Sequence, residues 1–446
     1  MNLVSFSIRT KGVHNFVRRL GTVFTRFGFS EAPTRRALNT IVDSVQGYTG
    51  APTFFIPAVV LQRHPTLIAE IARKGAEIGV HGYVHNDYRT LSRNQQFEQT
   101  EKALSVFQKV KLPCYGFRNP YLGWTWESLE VYAALGFHYE SNVAVLHDVV
   151  DIGAFSPLLR SGFAKSLELF QAIPCNVYAL RPDFHGALLR IPTSIPDDEM
   201  LFDRLRITDP EEVGQIWSRV MQRVYDLGGL YTLNLHPERG VLCKWALDSL
   251  LSYARSRELP VWVASIGEIA KWWRERSRFR MHITASGENR WQVEAICTPR
   301  ATLLARHIEI EDQSTSLWFG SDARAHSQRF IVCATTSPCI AVSRQTPDEV
   351  MTFLSEQGYP VVRCTQRESL SYAMFIDKPA GLGGTLEAQA ESKSALVEQI
   401  ENLEMPLLHF GCWPDGNRAA LAISGDIDSV TVQDFFLRIV EVFRHY

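Results

Sequence analysis

Two hydrophobic rhythms alternate between Val13 and Arg276. Helical spacing, with apolar residues three and four apart, is set by Phe16, Leu20 and Phe24, and again by Ala37, Ile41 and Val45. Short apolar runs rich in Phe and β-branched residues predict buried strands at 52–60, 76–81, 113–118, 137–142, 187–194, 230–236 and 260–264. The stretches between them predict helices over 64–74, 94–110, 125–135, 210–227, 243–256 and 266–276. Strand and helix in alternation argue for a parallel sheet or barrel, with chemistry at the carboxyl ends of its strands.

Around Arg278 the rhythm changes. Residues 279–345 show short alternating runs broken by Gly, Asp, Asn and Pro, the pattern of an antiparallel sheet or small sandwich. A helix over 346–357 and a strand at 361–364 follow, and 379–394 reads as a loop or linker. RAALAISGD (418–426) then predicts a buried strand, and 431–444 an amphipathic terminal helix.

The bulk numbers add limits. At 446 residues the chain has room for two or three domains, and 46% hydrophobic residues supply a sizeable core. A formal net charge of −2 gives no long-range field for nucleic acid or an acidic membrane, and no stretch reaches a membrane-spanning length. The eight cysteines are scattered with no Cys-x-x-Cys pair, and no leader pattern opens the chain, so a reducing, cytoplasmic setting is expected. An oligomer is compatible with this composition.

Four clusters can carry chemistry. HGYVHND (81–87) sets His81 and His85 four apart after an apolar strand, where two imidazoles can face one ion; alone, the pair equally fits two polar loop residues. GFRNPYL (116–122) places Arg118 at a strand end beside a proline turn, as a surface arginine also would. LYTLNLHPER (230–239) delivers His236 to a strand end. ISGDIDS (423–429) ends a strand in two carboxylates two apart, which alternation turns to one side: Asp426 and Asp428. By itself that pair reads as the cap of the following helix.

Taken together, PTFFIPA, EIGVHGYVH, RNPY and LNLH occur in the order found in the polysaccharide deacetylases (carbohydrate esterase family 4, the NodB-homology domain), which residues 51–272 resemble. That family opens with an Asp-x-Asp strand ahead of the TFF strand. Here only VSFSIRT (4–10) stands upstream, and the pattern appears instead at GDID (425–428), as in a circularly permuted chain. The resemblance implies an α/β fold: a deformed (β/α) barrel formed by 1–278 and completed by a permuted strand and helix within 401–446, with a β-rich accessory segment and linker at 279–400.

The same resemblance implies a divalent metal ion on Asp428, His81 and His85, zinc before cobalt, nickel or manganese. Asp426 would be the catalytic base, with Arg118 paired to it to keep it ionised. The backbone N–H of Tyr121, following Pro120, would stabilise the oxyanion. His236 would be the acid, oriented by Asp198, with Glu140 as second candidate; no tryptophan follows either, so the family's acyl-pocket wall is unmatched. The implied activity is hydrolysis of an N-acyl group, N-acetyl foremost, from an amino sugar of a polysaccharide or glycan precursor. Two alternatives stay open: a hydrolase of a non-polymeric amide such as a lipid-linked formamido sugar or a ureide-like metabolite, and an inactive carbohydrate-binding relative.

Overall fold

The run Ala419–Asp426 lies in the middle of the largest sheet, although it is the last strand of the chain. A computed structural model describes residues 26–313, 317–377 and 381–444; the spacing read at Phe16, Leu20 and Phe24 and the VSFSIRT stretch lie outside them. Eleven strands precede the accessory region: β1 (Thr53–Ile56), β2 (Glu77–Val80), β3 (Gly116–Phe117), β4 (Tyr139–Glu140), β5 (Ala144–Leu146), β6 (Ile173–Pro174), β7 (Asp183–His185), β8 (Leu188–Arg190), β9 (Thr193–Ile195), β10 (Leu230–Leu235) and β11 (Val261–Val263). With the C-terminal strand they make one twelve-stranded sheet, ordered β6-β5-β9-β10, C-terminal strand, β1-β2-β3-β4-β8-β7. β11 joins the start of the C-terminal strand. Every pairing is parallel except β7 with β8, and the sheet curls into a half-barrel flanked by helices.

Sequence explains why the C-terminal strand sits centrally. All eight of its residues are buried, as a strand covered on both faces requires. It pairs Leu230↔Ala420 through Leu235↔Gly425 on one side and Phe55↔Asp426 on the other. Glycine at 425 permits the close approach, because a Cβ there would stand 2.8 Å from the Leu235 carbonyl oxygen.

The helices pack outside by the 3.6-residue rule. Helix Pro210–Leu227 buries Val213, Ile216, Trp217, Val220, Met221 and Val224; it starts where Asp209 accepts from the Glu211 N–H and stops at left-handed Gly228. Each such side chain contributes about 1.5–3 kcal/mol by leaving water.

Several strands are shorter than their apolar runs suggest. Residues 52–60 divide at Pro57, which cannot donate to a ladder and instead precedes helix Ala58–Arg63. The run 187–194 divides around Pro192 into β8 and β9, which pair with different neighbours. The loop read at 379–394 is corrected: Leu386–Glu401 is a helix whose Thr385 hydroxyl accepts from the Ala388 N–H. Its apolar positions are sparse: Ala390 is buried near its start, and Leu396, Val397 and Ile400 bury its last turns.

Beyond the barrel stand two four-stranded antiparallel sheets and one three-stranded parallel sheet. Leu407–Phe410 pairs with Leu303–Arg306 in one of the antiparallel sheets, immediately before the chain returns to the barrel. Buried Arg276 ties the two parts together, donating to the carbonyls of Gly411 (2.9 Å), Gln357 (2.7 Å) and Phe410 (3.2 Å).

Candidate active site

Parallel strands leave their carboxyl ends at one rim; His81, Arg118 and His236 stand one step beyond such an end, and Asp426 is the last residue of its strand. His81 N–H donates to the Ile56 carbonyl, Arg118 N–H to that of Val80, and Ile427 N–H to that of Phe55. The ladder therefore fixes where His81, Arg118 and Asp428 begin. His81 and Asp428 face a cavity of about 220 Å³, lined also by His85, Tyr121, His236 and Asp426.

His81, His85 and Asp428 converge. Their imidazole Nε2 atoms lie 3.5 and 3.3 Å from Asp428 Oδ1. His81 Nδ1 is 2.8 Å from the Arg118 carbonyl oxygen. That bond fixes Nδ1 as the donor and leaves Nε2 a bare lone pair facing a carboxylate. Asp428 Oδ1 is itself buried without a hydrogen-bond partner, while Oδ2 accepts from Arg438 Nη1 at 2.7 Å. Two acceptors aimed at one orphaned oxygen fit a divalent cation between them, and the donor set of two nitrogens and one oxygen suits zinc-like ions. Burial works against ionising Asp428, yet His85, His81 and Arg438 hold its carboxyl well below the usual range. Burial is the largest influence on His85 and lowers it against the pull of Asp428, which favours the neutral imidazole that ligation requires.

Asp426 and Arg118 meet inside the barrel. Arg118 is fully buried over the Phe55 ring, at 4.4 Å. It donates to Asp426 Oδ1 (3.2 Å), Asn234 Oδ1 (2.6 Å), Ser424 Oγ (2.9 Å) and Ser141 Oγ (3.0 Å). Asp426 Oδ2 accepts from Asn234 Nδ2 at 2.9 Å. The carboxylate is thus held from two directions with one face left toward the cavity.

His236 sits across the cavity on Asp198, Nδ1 to Oδ1 at 2.7 Å, and its backbone N–H donates to Oδ2 at 2.9 Å. Arg239 Nη1 adds a 3.2 Å bond to the same Oδ2. Burial would lower the imidazole, but the Asp198 charge raises it well above its ordinary value. The adjacent Asp197 is pushed up to about 7 by burial and by Asp198.

Glu140, read as an alternative orienter, is corrected. Its carboxylate is engaged by Arg190 Nε at 2.8 Å and by the Asn142 N–H and Nδ2 at 2.8 and 2.7 Å, so it bonds elsewhere than to His236. Pro120 opens a short turn in which Tyr121 and Leu122 both hold left-handed backbone, with φ of 60° and 52°. The Tyr121 ring packs edge-on to His85 with centroids 4.8 Å apart.

Residues 28–139 match the model of the polysaccharide deacetylase family. That match lies within the barrel and takes in β1, β2 and β3, with His81, His85 and Arg118. The chain also shares 30% identity over 106 residues with peptidoglycan deacetylase-like protein FGM2 of Gibberella zeae, covering 23% of this chain and 31% of that protein. It shares 27% over 82 residues with peptidoglycan-N-acetylmuramic acid deacetylase PdaC of Bacillus subtilis, 18% of either chain. The match therefore spans less than a third of either relative. A solved Mycobacterium smegmatis structure assigned to the polysaccharide deacetylases aligns at 21% identity and a TM-score of 0.43, covering 60% of this chain and 85% of that one.

Sequence reading missed Asn234, Arg438 and the cavity's aromatic wall of Phe27, Phe170 and Phe435. Asn234 carried a signal, standing on the same face of its strand as Thr232, two residues before His236. The wall residues come from separate helical segments and carried none.

Proposed function

We propose that this protein is a metal-dependent hydrolase that removes an N-acyl group, N-acetyl foremost, from an amino sugar. The observation carrying this reading is the single cavity shared by the His81–His85–Asp428 set, the Asp426–Arg118 pair and the His236–Asp198 pair. A divalent ion held by the first set supplies Lewis-acid polarisation of the scissile carbonyl and of water.

The chain's own groups supply the proton transfers. Asp426 accepts the proton of the attacking water, held in place by Arg118 and Asn234. The Tyr121 N–H donates to the carbonyl oxygen as it gains charge. His236, kept protonated by Asp198, gives its proton to the departing nitrogen as the C–N bond breaks. A carboxylate and an amine leave. Circular permutation of the family's opening strand belongs to the same proposal, supported by the seat of Ala419–Asp426 beside β1.

The test is acetate release from N-acetylglucosamine oligomers by the purified, zinc-loaded protein, beside the Asp426→Asn variant. Release by the native protein and loss in the variant is expected. Equal release by both, or none from the native protein, overturns the assignment.

A further inference from the structure

A fully buried ion pair inside a barrel is costly unless each partner is satisfied. Glu140 and Arg190 form one, 0% and 2% exposed, beside the candidate site but outside the roles given so far. Arg190 is clamped from above by the Trp124 ring at 4.1 Å. Glu140 Oε2 then receives both the backbone N–H and the side-chain Nδ2 of Asn142. With its amide nitrogen so committed, Asn142 must aim Oδ1 the other way, where it accepts the Asn119 N–H at 2.6 Å. Asn119 is held again at its side chain: Nδ2 donates to the Gly123 carbonyl (2.7 Å) and Oδ1 accepts from Tyr132 Oη (2.8 Å). Between Asn119 and Gly123 lie the left-handed Tyr121 and Leu122, a conformation non-glycine residues keep only when the surroundings over-determine it.

We infer that Glu140 and Asn142 are positioning residues that lock the Asn119–Gly123 turn and so aim the Tyr121 N–H at the reacting carbonyl. The charge of Arg190 orients Glu140, Glu140 orients the Asn142 amide, and Asn142 holds the entry to the turn. This inference rests on the proposed hydrolase reading for its catalytic consequence, while the turn's rigidity is measurable without it.

The decisive variants are Asn142→Ala, which removes the acceptor, and Asn142→Asp with and without Glu140→Gln. Aspartate at 142 keeps an oxygen for Asn119 but turns its second oxygen on the Glu140 carboxylate; glutamine at 140 supplies a donor there and keeps an oxygen for Arg190. Losing an oxyanion donor outright costs about 10²–10³-fold in kcat, so a loosened one should cost about 10–100-fold. Expected results are that fall in N142A and N142D with KM changed less than about threefold, most of it recovered in the E140Q/N142D pair. The zinc Kd from titration calorimetry should hold within the same threefold, and amide exchange at Asn119 should quicken about tenfold in N142A.

Unchanged Asn119 exchange in folded N142A overturns the relay whatever the activity. So does a kcat loss that tracks zinc affinity, or a double variant no better than N142D. If native protein hydrolyses none of the N-acyl sugars, the functional reading falls, and the exchange measurement still decides whether the turn is locked as described.

Discussion

Replacing Asp198 by asparagine isolates the acid side of the site. The carboxylate is 0% exposed and makes three bonds, two to His236 and one to Arg239. Burial pushes its titration up, but the His236 and Arg239 charges outweigh that and bring it down to about 2, from an ordinary 3.8. That depression is worth about 2 kcal/mol of native stability. Its sign follows from linkage: the Asp198 contribution is present above about pH 4 and lost as pH falls through about 2. The His236 contribution runs the other way, complete below about 6.5 and lost as pH rises through the imidazole's raised value. Both are present between those limits, so at pH 6 the variant should lose about 2 kcal/mol, a few degrees of Tm. Without the Asp198 charge, burial and Arg239 dominate His236 and lower it. Glu238, which also faces it, is itself raised by burial and compensates little; Asp197, raised by burial and then by Asp198, loses the second cause in the variant and offsets only part of the missing charge. The alkaline limb of kcat/KM should then move to lower pH, and the rate near neutrality should fall about 10²-fold or more. Paired pH–rate profiles and thermal melts of the two proteins read this directly. An alkaline limb at the same pH in both, with rates within about threefold, refutes the argument.

Three further outcomes follow from the same geometry. Asp426→Asn should lower kcat/KM by about 10²–10⁴-fold while the divalent-ion Kd in calorimetry stays within about threefold; a matching loss of metal affinity would place Asp426 among the ligands instead. His85→Ala should weaken zinc binding by more than about 100-fold, since two of three ligands cannot close a site, and native-like affinity would remove His85 from the set. Arg276→Met strands three buried carbonyl acceptors between barrel and accessory sheets, so urea denaturation should show a loss of about 3 kcal/mol, and a loss under about 1 kcal/mol would mean that the junction does not depend on it.

What was legible in the sequence divides by range. Strands and helices of the barrel announced themselves because burial on both faces writes continuous apolar runs, as in Phe54–Ile56 and Leu421–Ile423. His81, His85 and Arg118 were legible because a strand end followed by a polar residue is a local signal. Strand lengths were not, since Pro57 and Pro192 redirect pairing without changing hydrophobicity. The helix at Leu386–Glu401 was hidden by a glycine-rich approach and by buried apolar residues gathered mostly at one end. The aromatic wall and Arg438 were invisible for a different reason. Phe435 and Arg438 take their place from how the terminal helix docks, and Phe27 and Phe170 from other helical segments; a helix face says which residues are buried, not which cavity they close.

That docking makes the site conditional on the two ends of the described chain meeting. The strand carrying Asp426 is held by β1 and β10, but Asp428 stands beyond the ladder and is steadied by Arg438 from the helix Val432–Arg444. The helix is in turn pinned at its first turn: Asp434 accepts from Arg63 Nε (2.6 Å) and His64 Nε2 (2.8 Å), at the end of the helix Ala58–Arg63 that follows β1. It also accepts the Thr431 N–H (2.9 Å), capping the helix it belongs to. One carboxylate therefore fixes both the start of the helix and its attachment to the barrel. His81 and His85 by themselves offer two lone pairs on a loop. Only when the last strand has entered the sheet and the last helix has locked against Arg63 and His64 does Asp428 face them, so cation affinity and completion of the barrel are one equilibrium.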